Sequence, residues 1–79
     1  MSFKKLGMVR KGLAVGGYSV AKYKNDETGE QQLRLLRNGR TVARRTFANG
    51  MELTIWYTSL IPAGTDGRDT IVALTEAIK

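Results

Sequence analysis

The stretch Asn38–Leu60, NGRTVARRTFANGMELTIWYTSL, constrains the fold more than any other, because the hydrophobic period changes within it. Asn38-Gly39 is a strong two-residue hairpin signal, since a type I′ turn needs φ > 0 at both central positions. Thr41–Phe47 then reads as a strand rich in β-branched residues and ending on an aromatic. Asn49 is placed to cap a helix, and Glu52 stands three residues on, at capping-box spacing. Leu53, Trp56, Tyr57 and Leu60 follow at i, i+3, i+4 and i+7, one face of that helix. A switch from period two to period 3.6 calls for a sheet that the helix can cover.

The preceding chain supplies strands. Tyr18–Lys24 alternates, with Tyr18, Val20 and Lys22 on one face and Ser19, Ala21 and Tyr23 on the other. Asn25–Gly29 is a polar turn. Gln31–Arg37 returns as a strand, with Leu33 and Leu35 sharing a face and Gln32, Arg34 and Leu36 taking the other. The first 17 residues read less clearly. Ser2–Leu6 suits a short edge strand guarded by lysines, and Leu13-Ala14-Val15 suits the start of another.

Beyond the first helix, Pro62 and Gly64 break the chain. Thr65 or Asp66 can cap a second helix, whose apolar stripe is Ile71, Leu74 and Ile78. Strands followed by helices indicate an α+β fold. The expected structure is one domain over residues 1–79, in the order (β)βββαα. Three to four antiparallel strands would carry two antiparallel helices on one face and leave the other face open. The expected core is Leu33, Leu35, Phe47, Leu53, Trp56, Leu60, Ile71, Leu74 and Ile78.

The chain has no cysteine and no histidine. Disulfides, thiolate or imidazole metal sites and the usual nucleophile–base pairs are therefore out of reach. Most carboxylates fall in expected turns or helix caps, and the glycines match no phosphate-binding loop. Asp66 and Asp69 read as helix-start residues rather than cation ligands. The expectation is a protein that is not an enzyme and takes no cofactor or metal. With no signal-like or membrane-length apolar run, it is expected in the cytoplasm, away from membranes.

Thirteen Lys and Arg against seven Asp and Glu give a formal charge of +6, which favours an acidic partner. Arg34, Arg37, Arg40, Arg44 and Arg45 crowd one hairpin, and every base there is the forked guanidinium suited to phosphate and carboxylate. Tyr18 and Tyr23 lie on opposite faces of their strand, so one should pack under the helices and one should be exposed. The expected partner-binding set is Tyr23 with Arg34, Arg37, Arg40, Arg44 and Arg45, and Tyr23 is expected to share the open face with Arg34 or Arg45.

Tyr18–Tyr23, Asn38–Phe47 and Glu52–Tyr57, in this order and spacing, resemble small type I-F anti-CRISPR proteins of Pseudomonas phages. The shared pattern is an NG[KR][ST]V-x-x-R-x-F strand, a helix with L-x-x-W and an aromatic, a Pro/Gly break and a second helix. It covers the chain from about Tyr18 to Ile78. The resemblance implies two helices on an antiparallel sheet. It also implies an inhibitor that binds the Cas7-type backbone subunits of a type I crRNA-guided complex and blocks target DNA hybridisation. Tyr23 matches a tyrosine near that family's binding face, its N-terminal tyrosine falls near Leu6, and an acidic position falls at Arg34 with reversed charge.

Tyr-x-Val-x-x-Tyr from Tyr18, Thr28-Gly29, the basic strand ending in Phe47, and Glu52 with Trp56 also resemble the AP2-like DNA-binding domain of tyrosine recombinases. That resemblance implies a three-stranded sheet laid in the major groove of duplex DNA. The partners to be distinguished are thus Cas subunits, the RNA bound to them, and DNA.

Overall fold

The computed structural model describes residues 3–10 and 16–78, the Arg10 side chain aside. Four strands, β1 (Lys4–Arg10), β2 (Tyr18–Lys24), β3 (Gln31–Arg37) and β4 (Arg40–Phe47), precede two helices, α1 (Gly50–Leu60) and α2 (Gly67–Ile78). The strands form one antiparallel sheet in the order β1-β2-β3-β4. The fold is therefore α+β in the expected element order, with four strands. The first strand extends from Lys4 to Arg10, beyond the expected end at Leu6. Ser2 and the expected strand start at Leu13-Ala14-Val15 lie outside the described residues.

Local signals place the elements. Asn38 and Gly39 both take positive φ, 52° and 83°, and join β3 to β4 by two residues. The Asn49 side chain accepts the Glu52 N–H at 2.9 Å and caps α1. At the other end the Ile61 N–H returns to the Tyr57 carbonyl, and Pro62 follows. Of the two candidate caps for α2, Asp66 takes the role, accepting the Asp69 N–H at 2.8 Å. The turn after β2 is held by Asn25, whose side chain accepts from the Glu27 and Thr28 amides.

β4 contains one residue more than β3 between paired positions. Leu36 faces Thr41 and Leu35 faces Ala43, leaving Val42 as a bulge. Without it, the two-residue turn would set Leu35 against Val42 and Leu33 against Arg44. The bulge instead sets Leu33 against Arg45 and Gln31 against Phe47. This puts Ala43 and Phe47 on the Leu33/Leu35 face, where both meet the core.

The core lies between this face and the helices. Val20, Leu33, Leu35, Phe47, Leu53, Ile61, Ile71 and Leu74 are buried in one cluster, with Trp56, Leu60 and Ile78 partly buried against it. Trp56 therefore stands at the rim of the core, and the central positions belong to Leu33, Leu35 and Leu74. Val20 and Ile61 complete the cluster beyond the residues expected from the sequence.

Candidate binding face

The side of the sheet opposite the core is built from alternate residues of the four strands. Across its middle run Met8, Ala21, Arg34 and Arg44, each paired with the next. Beside them run Lys5, Tyr23, Gln32 and Thr46. Tyr18 packs against the core on the other side, so the two tyrosines do take opposite faces, but Tyr23 is half-buried rather than exposed, because Arg34 covers its ring. This face is less open than the alternation suggested: Ala21, Gln32 and Leu36 on it are buried. Its exposed part is the β4 side, Thr41, Arg44 and Thr46, with Lys5 at the far edge.

Arg34 is the best-held cation of the face. Its guanidinium carbon lies 3.8 Å from the centre of the Tyr23 ring. Its Nε donates to Gln32 Oε1, and Gln32 Nε2 donates in turn to Thr46 Oγ1 at 3.0 Å. The chain of contacts joins three strands and fixes the plane of the guanidinium. A cation already held in one geometry loses less freedom on binding than a free one.

Arg44 stands directly opposite Arg34. Like charges facing one another across a sheet are destabilising. No carboxylate relieves them: among the described residues the single ion pair joins Lys4 to Asp26 at 3.5 Å, between exposed side chains. The strands hold none of the chain's acidic residues and most of its basic ones.

The six expected site residues do not form one surface. Tyr23, Arg34 and Arg44 share the face just described. Arg45 lies on the helix side, its guanidinium carbon 5.1 Å from the Trp56 ring and 5.5 Å from the Phe47 ring. The expected pairing of Tyr23 with Arg34 or Arg45 thus resolves to Arg34. The bulge at Val42 is the cause, because an unbroken register would have turned Arg45 the other way. Arg37 stacks toward Tyr18 at 5.5 Å, and Arg40, its partner across the turn, is exposed.

The chain matches no protein-family model, no curated protein and no solved structure.

What the face can do therefore follows from its chemistry. It presents one held guanidinium, Arg34, an exposed second one, Arg44, an aromatic ring and hydroxyls, without a carboxylate. Such a set recognises phosphate or carboxylate oxygens. Among the described residues no group of three or more acidic side chains could hold a metal ion. Sequence reasoning passed over Gln32 and Thr46, uncharged strand residues that read as ordinary surface. Their period-two relation to Arg34 and Arg44 is the available signal, once the register of β4 is known.

Proposed function

We propose that the protein works by occupancy: it docks the Tyr23–Arg34–Arg44 face on a type I crRNA-guided surveillance complex and denies target DNA access to the guide. The observation that carries the reading is the Arg34–Arg44 pair, two cations set opposite one another without a carboxylate. A sheet keeps such a pair against its own stability when an anionic partner completes it. The ordered resemblance from Tyr18 to Ile78 supplies the class of target. Acidic side chains of a Cas subunit and phosphates of the bound RNA both fit the arginines.

The test is a phage-plaquing assay in hosts with type I-F, I-E or I-C immunity, joined to a pull-down of the purified complex. The parent should restore plaquing in at least one host and co-purify with its complex. Arg34→Glu and Arg44→Glu should abolish both. Intact immunity in every host with no co-purification would refute the proposal.

A second reading, direct binding of duplex DNA by the same face, is favoured by the absence of acidic residues from all four strands. It requires affinity that falls steeply with salt, with a log–log slope of roughly −0.9 per phosphate neutralised. No detectable binding at low salt would exclude it.

A further inference from the structure

On the helix side, β4 and α1 border a groove of about 550 Å³, open along its length. The Phe47 and Trp56 rings lie 5.4 Å apart within it, and Arg45 leans over both. The α1 wall is a single stripe, Glu52, Ile55, Trp56, Ser59 and Leu60, at i, i+3, i+4, i+7 and i+8. At 1.5 Å per residue the stripe runs about 12 Å. α1 holds one charged residue, Glu52, and is apolar on two sides. Leu53 is buried against the sheet, while Ile55 is 59% and Met51 73% exposed. The sheet covers the Leu53 side of α1 and leaves Met51 and Ile55, beyond Glu52 and Ser59, uncovered.

We propose that this groove receives an acidic amphipathic helix from a protein partner. Its apolar side chains would rest on Ile55, Trp56 and Leu60, and a carboxylate would meet Arg45. Charge selects this occupant. Arg45 has no ion-pair partner among the described residues, and the chain as a whole carries a net charge of +6. A second copy of the chain would bring together two bodies of charge +6. A nucleic-acid strand carries a phosphate at every unit and would set one beside Glu52, whereas a helix can keep its carboxylates at Arg45 and turn apolar side chains toward Glu52. An added β-strand would meet the bulge at Val42 and the arginines that guard the β4 edge. A helix laid along the α1 stripe meets none of these obstacles. The site is separate from the Tyr23–Arg34–Arg44 face and does not rest on the function proposed for it.

Trp56 is the chain's single tryptophan, so its emission reports on the groove directly. The full chain is titrated with a synthetic peptide carrying Leu on one helical face and Glu on the other. A saturable blue shift of Trp56 emission is expected. Arg45→Glu and Ile55→Glu should each weaken binding by at least about tenfold. Ile55 is exposed, so its variant should keep the parent's circular dichroism and melting temperature. Arg34→Glu, on the other face, should bind the peptide as the parent does, which separates this site from the face proposed above. Five results would each overturn the proposal: no saturable shift, undiminished binding by both groove variants, equal binding of a scrambled peptide, the same shift with oligothymidylate, or a shift that tracks protein concentration alone.

Discussion

Leu74→Ala should unfold this protein more readily than Trp56→Ala, although tryptophan is the larger side chain. Leu74 has no exposed surface and sits in the cluster with Val20, Leu33 and Leu35. Burial of this kind makes Leu→Ala cost about 2–5 kcal/mol, from lost transfer energy and the cavity left behind. With the site enclosed by sheet and helix, about 3–4 kcal/mol is the working figure. A domain this small has a total stability of roughly 5–10 kcal/mol. Each kcal/mol lowers Tm by about 4–8 °C, so the variant should melt about 15–25 °C below the parent. Trp56 is only partly buried, with one side on the groove. Its truncation should therefore cost near half the value of a buried tryptophan, about 2 kcal/mol, or about 10 °C. Thermal melts followed by far-UV circular dichroism, with urea unfolding as a second measure, give the ranking. If Trp56→Ala falls as far as Leu74→Ala, the core is centred on the helix 1 aromatic, and the reasoning fails.

Asn49→Ala and Asp66→Ala each remove a helix cap and should each cost about 1 kcal/mol. The caps belong to different helices and share no partner, so the urea midpoint of the double variant should show the sum. Gly17 and Gly39 both have positive φ, yet a Cβ at Gly39 meets nothing within 4 Å while one at Gly17 collides with the Asn38 side chain. Gly39→Ala should cost about 1–2 kcal/mol in chemical unfolding, and Gly17→Ala about the same, because the exposed Asn38 side chain can swing aside. Tyr23→Ala removes the ring under Arg34 and should weaken partner binding by roughly 1–3 kcal/mol in a titration. An unchanged affinity would show that Arg34 needs no such support.

Much of the fold was legible because its signals are local. Asn38-Gly39, Asn49 and Asp66 act on their own backbone within three residues, and sequence suffices to find them. The Leu33/Leu35 and Leu53/Trp56 patterns carry period two and period 3.6 cleanly. β1 was harder, because its pairing with β2 is irregular on both sides of Gly7-Met8 and the alternation is lost. The candidate face was legible in its residue types but not in its membership. Arg44 and Arg45 had to face opposite ways, but which one joined Arg34 depended on one bulged residue. Val42 carries no sequence mark of a bulge. The evidence for it is non-local: Phe47 reaches the core only if the register shifts.

The extra residue in β4 also decides what single genetic events can do to this protein. A codon change at 44 or 45 alters one side chain on one face. Loss of the codon at 42 would remove only the bulged residue: Thr41 would still face Leu36 and Ala43 would still face Leu35, so both arginines and Phe47 would keep their faces. Gain of a codon between 43 and 47 would instead push the residues after it one place along and turn Phe47 away from the core. Along this strand, then, the chain can shed the one residue it holds in excess, whereas the run from Ala43 to Phe47 is as fixed in length as a core side chain is in kind.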